Sequence, residues 1–157
     1  SNAELTVKVT GYQWKWEYEY LGEGVSFYSD LATPRTAILN QEEKADTYLL
    51  DVDNPLVLPT NTKIRFHHTS ADVIHSWWVP ALSVKKDAIP GFVNTNWAYI
   101  EEPGTYRGKC TELCGRDHGF MPVVVEAVPR DEFDAWLAEQ KQANAAPGDD
   151  TLVADRE

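Results

Sequence analysis

Four side chains that can bind a soft metal ion lie within the twelve-residue segment CTELCGRDHGFM. They are Cys110, Cys114, His118 and Met121, and they include both cysteines and the single methionine of the 157-residue chain. Thiolate and thioether sulfurs are soft ligands that favour copper, whereas imidazole binds copper and zinc alike. This clustering of donor types predicts a metal site.

The spacing of these donors would place them on one face of a helix, but the local sequence favours a loop. Gly115, Gly119 and Pro122 interrupt a helical segment, so we expect a loop that wraps around the metal. A further imidazole is expected from elsewhere in the chain, and the candidates are His67, His68 and His75.

Three simpler interpretations apply to the same residues. The two cysteines could be small buried side chains or could form a local disulfide. Two thiolates and two imidazoles would also satisfy a tetrahedral zinc ion, although zinc sites usually have a shorter gap between the cysteines. Met121 could belong to the hydrophobic core, which is the commoner place for a methionine.

Copper fits the whole set of donors better than zinc does. A mononuclear blue-copper site uses one Cys, two His and a weak axial Met, and a second thiolate allows two copper ions to be bridged by both sulfurs. Two imidazoles, one thioether and one backbone carbonyl would complete that arrangement. Such a site suits electron transfer, because sharing one electron between two ions reduces the geometric change on oxidation and reduction.

The segments that must position these donors are mostly predicted strands. LTVKVTGYQWKWEYEY alternates apolar and polar residues with a break near Gly11, and three short apolar runs follow between residues 47 and 80. A further pair of strands is expected on either side of Glu102-Pro103-Gly104, and MPVVVEAV predicts the last strand. Residues 22–46 are polar and contain Gly and Pro, so we expect a loop there.

The spacing of the apolar residues changes after the last predicted strand. In PRDEFDAWLAEQKQ, residues 129–142, the apolar residues lie three and four apart, which predicts one amphipathic helix packed on the strands. Residues 143–157 are small, polar and acidic, and we expect a flexible acidic tail. The predicted fold is all-β with one C-terminal helix, and residues 4–128 form its single domain.

Charge and composition narrow the classes of function. The formal net charge of −11 disfavours nucleic acid as a partner, and it suits a basic protein partner. No apolar run approaches the length of a membrane-spanning helix. Ser1-Asn2-Ala3 looks like the remnant of a cleaved expression tag, so residues 1–3 are set apart and membrane helices are expected to precede this domain in the natural protein.

Four stretches of the chain carry a resemblance to a known family. They are, in order, GYQWKWEYEY, DVIHSWWVPAL, KDAIPG and CTELCGRDHGFM. Together they resemble the CuA domain of the cytochrome c oxidase subunit II family, from about residue 10 to about residue 138. The resemblance implies a cupredoxin-like Greek-key β-barrel or sandwich that carries a binuclear copper centre.

The resemblance also implies a set of copper ligands. His75 matches the upstream histidine of the family and His118 the second one, while Cys110 and Cys114 match the bridging thiolates. Met121 matches the thioether ligand. The backbone carbonyl of Glu112 matches a further copper ligand, and its carboxylate matches a residue that reaches a magnesium ion at the contact with oxidase subunit I.

Other positions are implied to act in docking. Trp14 matches the tryptophan that receives the electron from cytochrome c, whereas Trp16 and Tyr18 are expected to be buried. Glu19, Asp53 and Asp72 match acidic positions that dock the basic cytochrome c.

The resemblance implies an electron-transfer domain of a respiratory terminal oxidase. This domain accepts electrons from cytochrome c, passes them to haem in subunit I, and is exposed on the periplasmic side of the bacterial inner membrane. Two alternatives are a copper carrier or assembly module, and the copper domain of a nitrous oxide reductase.

Overall fold

A computed structural model of the chain describes residues 3–32, 51–116 and 121–154. This described part contains ten strands, one 3-10 helix and one α-helix. The strands are β1 (Leu5–Tyr12), β2 (Lys15–Tyr20), β3 (Val25–Ser29), β4 (Leu56–Pro59), β5 (Lys63–Ser70), β6 (His75–Val79), β7 (Val84–Ala88), β8 (Asn94–Tyr99), β9 (Gly104–Cys110) and β10 (Pro122–Val128). The 3-10 helix (Pro80–Leu82) joins β6 to β7, and α1 (Arg130–Ala154) follows β10.

The strands form two five-stranded sheets that share one core. The first sheet has the order β3-β2-β1-β5-β8 and the second the order β4-β10-β9-β6-β7. Most neighbours are antiparallel, but β1 pairs with β5 and β4 with β10 in parallel. Parallel neighbours need a crossover connection, and here the chain passes repeatedly from one sheet to the other. The predicted cupredoxin-like sandwich is therefore confirmed.

The core between the sheets is rich in large aromatic side chains. Trp16, Tyr18 and Trp77 are fully buried there, and the indole N–H of Trp77 donates to the Tyr18 hydroxyl over 3.1 Å. The alternation of β2 explains this packing, since its even-numbered residues all point inward. The prediction that Trp16 and Tyr18 are core residues is confirmed.

The C-terminal helix covers one end of this core, as the apolar spacing predicted. Phe133 and Leu137 are buried, and the Trp136 ring lies 5.3 Å from the ring of Tyr20. The helix is longer than expected, because it continues through Ala154 where a tail was predicted from residue 143. Three alanines between residues 143 and 146 favour the first turn of this extension, because alanine has the highest helix propensity.

The loop predicted over residues 22–46 is wrong in its first part. Residues 25–29 form β3, which pairs antiparallel with β2 and buries Val25 and Ser29. Gly22 and Gly24 have φ angles of 84° and 70° and provide the turn between the strands. The polar residues of β3 obscured its alternation, and residues 33–46 lie outside the described part of the chain.

Candidate metal centre

The predicted ligands come from the ends of neighbouring strands in the second sheet. His75 begins β6, Cys110 ends β9, and Met121 immediately precedes β10. Because β6 and β9 are antiparallel neighbours, the start of one and the end of the other lie at the same edge of the sheet. The backbone N–H of Cys110 donates to the Met121 carbonyl over 3.2 Å, which holds β9 and β10 together at this edge.

Four donor side chains and one carbonyl converge at this edge. The Sγ atoms of Cys110 and Cys114 are 3.7 Å apart, and the Sδ of Met121 is 3.9 Å from the Cys114 sulfur. The Nδ1 of His75 is 4.0 Å from the Cys110 sulfur, and the carbonyl oxygen of Glu112 is 3.3 Å from it. All four side chains are buried, with at most 2% of each residue exposed.

The donor set fits a soft metal ion. A metal–thiolate bond is about 2.3 Å long, so two sulfurs 3.7 Å apart can bond to the same ion. Burial, followed by the neighbouring Cys110, raises the pKa of the Cys114 thiol to about 12. A bound cation would favour the thiolate form of Cys114 in this buried site, and three soft sulfur donors favour copper.

The other predicted ligands have different positions in the structure. His118 lies outside the described residues, so its contacts with the sulfurs stay a prediction. His67 and His68 are on β5, where the His67 ring bonds to the hydroxyl of Thr95 and the His68 ring to the amide of Asn96. Among the described acidic, histidine and cysteine residues, the group close enough to share a metal consists of His75, Cys110 and Cys114.

Asp72 lies directly behind the imidazole of His75. Its Oδ1 atom is 2.9 Å from the Nε2 of His75, so Nδ1 is left to face the sulfurs. Burial raises the pKa of this carboxyl, but hydrogen bonds from His75 and from the backbone N–H groups of Gln13 and Val73 outweigh it, and the pKa is lowered overall. Asp72 was predicted as a docking charge, and the structure places it against a ligand, with 32% of its side chain exposed.

The two other acidic positions predicted for docking are not in contact with the ligands. Glu19 points outward from β2 and forms a 3.9 Å ion pair with Lys8. Asp53 is exposed and accepts hydrogen bonds from the backbone N–H groups of Asp30 and Asn54, which closes the turn there. Asp30 follows the end of β3, so Asp53 lies close to that end of the first sheet.

Trp14 lies in the turn between β1 and β2 and is half-buried. Its indole N–H donates to the carbonyl of Cys114 over 3.1 Å, and the guanidinium of Arg116 lies 6.0 Å from its ring. Trp14 therefore connects the surface of the protein to residues 111–116, which follow β9 and carry Cys114. These residues are called the ligand loop below.

Three further residues shape the site through contacts that the sequence does not reveal. A Cβ atom on Gly11 would lie 2.6 Å from the Cδ2 of His75, and one on Gly115 would lie 2.9 Å from the side-chain nitrogen of Gln13. Gly115 also has a φ of 119°, which other residues rarely adopt. Gly11 was visible as a break in the strand pattern, but Gln13 gave no signal because its partners are distant in sequence.

Residues 5–128 match the family model described as cytochrome c oxidase subunit II, periplasmic domain. The chain belongs to this family. It is 44% identical over 153 residues to a probable cytochrome c oxidase subunit 2 of Rickettsia bellii, an alignment that covers 97% of this chain and 55% of that protein. It is also 44% identical over 135 residues to cytochrome c oxidase subunit 2 of Branchiostoma floridae, covering 86% of this chain and 57% of that one. The chain thus spans about half the length of these curated relatives.

Solved structures of this oxidase family are similar over most of the chain. The periplasmic domain of subunit II of cytochrome oxidase from Bradyrhizobium japonicum is 42% identical, with a TM-score of 0.79, covering 91% of this chain and 97% of that one. A mixed disulfide intermediate between a thioredoxin-like protein and subunit II of cytochrome c oxidase gives 40% identity and a TM-score of 0.75, covering 91% and 94%. The resemblance inferred from the four sequence stretches is confirmed.

The family model that matches residues 5–128 is that of a periplasmic domain. Within residues 3–32, 51–116 and 121–154, none of the helices combines the length and the apolar character needed to cross a bilayer.

Proposed function

We propose that this chain is the electron-transfer domain of a respiratory terminal oxidase, and that it carries a binuclear copper centre. The observation that carries this proposal is the buried group of two thiols, one thioether and one imidazole within 4.0 Å of their nearest neighbours. The oxidase is an oxidoreductase complex, and this domain contributes electron transfer to it.

The copper ligands proposed are the side chains of His75, Cys110, Cys114, His118 and Met121, together with the carbonyl of Glu112. Two copper ions held by these residues would supply a carrier for one electron at a time. The protein around them excludes water, since the four described side-chain ligands are buried. It also holds His75 and Cys110 on paired strands, which limits the rearrangement of these two ligands when the charge of the centre changes.

A basic cytochrome c is the proposed electron donor. The net charge of −11 favours encounter with a cationic protein. Trp14 is the proposed receiving residue, because its ring is partly exposed while its N–H is bonded to the ligand loop at Cys114. We propose that the carboxylates of Glu19, Asp53 and Asp72 contribute to the electrostatic attraction of cytochrome c.

Subunit I of the oxidase is the proposed electron acceptor, docking at the opposite side of the ligand loop. Leu113, Phe92 and Val93 are 82%, 66% and 62% exposed. Leu113 follows Glu112, and Val93 precedes Asn94, so these apolar residues flank one polar cavity of about 430 Å³. This cavity is lined by Lys85, Lys86, Asp87, Asn94, Thr111 and Glu112. Large apolar side chains that are exposed close to one another mark an interaction surface.

The carboxylate of Glu112 is proposed to bind magnesium in the assembled oxidase. Glu112 shares its cavity with Asp87, and carboxylate oxygens are the ligands that magnesium prefers. In the whole protein, residues 4–128 would form the periplasmic domain, held at the bacterial inner membrane by helices that precede it.

Copper reconstitution of the reduced protein tests the proposal. We expect two copper ions per chain and an electron paramagnetic resonance spectrum in which one electron is shared by both. Cys110→Ser and Cys114→Ser should each lose that shared signal, because each thiolate is proposed to bridge both ions. A single copper per chain, or tight zinc binding that excludes copper, would refute the binuclear centre.

Competition with a chelator separates the copper carrier from the electron-transfer domain. A copper carrier should give up its copper readily to a competing chelator, whereas a buried electron-transfer centre should retain it. Membership of the subunit II family favours the oxidase over a nitrous oxide reductase.

We further propose that the two thiols are substrates for a thioredoxin-like reductase before copper binds. The sulfurs of Cys110 and Cys114 are not joined by a disulfide and lie 3.7 Å apart, so oxidation could close them into a disulfide of about 2.0 Å. The mixed disulfide formed by a relative with a thioredoxin-like protein supports this proposal. Incubating the oxidised protein with the reduced, dithiol form of a thioredoxin-like protein should restore both thiols and copper binding, as the two thiols of that protein become a disulfide. Unchanged thiol content would contradict the proposal.

A further inference from the structure

The tip of the first hairpin contacts the ligand loop through two donors that meet at one carbonyl. Residues 13 and 14 connect β1 to β2. The side-chain amide of Gln13 donates to the carbonyl of Cys114 over 3.1 Å, and the indole N–H of Trp14 donates to the same oxygen over 3.1 Å. Donor and acceptor are about a hundred residues apart in sequence, so these bonds fix the tertiary position of Cys114.

The same hairpin tip is bonded to the opposite side of the site. The backbone N–H of Gln13 donates to Oδ2 of Asp72 over 2.8 Å, while Oδ1 of Asp72 is 2.9 Å from Nε2 of His75. Gln13 therefore links two segments that carry ligands: its side chain holds the Cys114 loop and its backbone holds the carboxylate behind His75.

Close packing accompanies these bonds. A Cβ atom on Gly115 would lie 2.9 Å from the Gln13 amide nitrogen and 3.2 Å from two atoms of the Trp14 ring. A side chain at position 115 would therefore displace the Gln13 amide and press on the Trp14 ring. Glycine at this position allows the hairpin and the loop to touch.

The ligand loop needs such support, because it lacks the pairing that holds the strands. β9 ends at Cys110, and residues 111–116 belong to no strand or helix. Cys114 lies four residues after Cys110, the last paired residue of β9. Its sulfur is therefore placed by contacts with other segments.

We infer that Gln13 and Trp14 are positioning residues that clamp Cys114 and, through Asp72, His75 at the spacing needed for metal binding. This inference rests on the proposed copper centre for its consequence, but its structural part concerns the metal-free protein as well. Partners that orient metal ligands typically change metal affinity by about 10–100-fold when they are removed. The clamp should therefore limit both the reactivity of the Cys114 thiol and the loss of copper.

Two substitutions remove the donors, and the first of them also keeps the shape of the side chain. Gln13→Met keeps the length of the side chain but removes the amide, and Trp14→Phe keeps an aromatic ring but removes the N–H. Lys15→Met is the matched control, because Lys15 is in the same hairpin and its Nζ lies 4.2 Å from the centre of the Tyr28 ring. Gly115→Ala, whose methyl group would displace the Gln13 amide and press on the Trp14 ring, is expected to resemble the double variant.

The first measurement uses reduced, metal-free protein and the thiol reagent DTNB. We expect the thiols of each single variant to react several-fold faster than those of Lys15→Met. The double variant should exceed the product of the single effects, because each donor partly compensates for the loss of the other. Gln13 is exposed, so Gln13→Met should retain the fold and tests the clamp by itself, with a thermal melt as a check.

The second measurement uses copper-loaded protein. Chelator-driven loss of copper should be about 10–100-fold faster in the double variant, and the copper hyperfine splitting should change, which a general loss of stability would not cause. Thiol and copper-loss rates equal to those of Lys15→Met would overturn the inference. If the wild-type chain binds no copper, the proposed function fails, and the thiol rates still decide whether the clamp exists.

Discussion

The carboxylate of Asp72 lies 2.9 Å from Nε2 of His75, on the side of the imidazole opposite the cysteine sulfurs. A hydrogen bond at one ring nitrogen determines which nitrogen is free to bind a metal. Asp72 therefore has a position from which it can orient a ligand, in addition to its predicted contribution to docking. Orientation of His75 would affect copper affinity, whereas docking would affect the encounter with cytochrome c.

Replacing Asp72 separates orientation of the ligand from long-range charge. Asp72→Asn preserves the size of the side chain but removes the charge that faces His75, and we expect copper affinity to fall by about 10–100-fold. Asp53→Asn is the matched control, since it removes the same charge from an exposed residue without contact to a ligand. Competition with a chelator measures both. Equal copper affinities of the two variants would leave Asp72 with the docking role alone.

The stability of the metal-free protein should fall in mildly acidic solution because of His68. Burial lowers the pKa of His68 from 6.5 to about 4, although the bond to Asn96 opposes the change. The unfolded chain therefore binds a proton near pH 6 that the folded chain does not bind, so the free energy of unfolding decreases as the pH falls from 6.5 towards 4. This lowering of the His68 pKa from 6.5 to about 4 corresponds to a loss of about 3 kcal/mol in the free energy of unfolding.

Urea unfolding at a series of pH values measures this effect. His68→Gln cannot titrate, so its unfolding free energy should change less over the same pH range than that of the wild-type protein. If both proteins lose the same stability between pH 6.5 and 4, other groups cause the acid sensitivity and His68 is not responsible.

Residue types and local periodicity were sufficient to predict much of this molecule. The alternation in β2 predicted that Trp16 and Tyr18 are buried, because a strand places every second side chain on one face. The soft donors at Cys110, Cys114 and Met121 predicted a metal site from chemistry alone. β3 was missed because its stability comes from pairing with β2 rather than from an apolar pattern of its own.

The contacts that support the ligands could not be predicted in the same way. Gln13 and Cys114 are 101 residues apart, and sequence spacing carries no information on a contact at that distance. Asp72 was recognisable as acidic, but its bond to His75 depends on the bend that precedes β6. Gly115 is one of nine glycines, and its importance appears only when the hairpin is seen packed against it.

A methyl group at position 11 should disturb the metal site without removing a ligand. The Cβ atom of Gly11→Ala would lie 2.6 Å from Cδ2 and 2.9 Å from Cγ of the His75 ring, so the imidazole must move. We expect weaker copper binding and an altered copper hyperfine splitting. Thr6→Ala, on the outward face of the same strand, should leave both unchanged. A normal spectrum for Gly11→Ala would mean that the ring can relax without losing its ligand geometry.

Electron transfer from a cationic cytochrome c should slow as salt is added, because exposed charges are screened over about 8–10 Å at moderate ionic strength. The position of each acidic residue sets the size of its effect. Asp53 lies beyond the end of β3, whose last residue, Ser29, pairs with Trp16 next to the hairpin tip. Glu19 is four residues along β2 from its start at Lys15, about 13 Å away. We therefore expect Asp53→Asn to lower the association rate and the salt dependence more than Glu19→Gln.

Glu102→Gln provides the control for this comparison. Glu102 is exposed and precedes β9, and the seven residues of that strand separate it from Cys110 by about 20 Å. Removing this charge changes the net charge by the same amount but at the far end of the sandwich, so the association rate should hardly change. Stopped-flow rates at several salt concentrations measure all three variants. Equal effects would mean that cytochrome c responds to the net charge of the domain, and a dock near the hairpin tip would then be refuted.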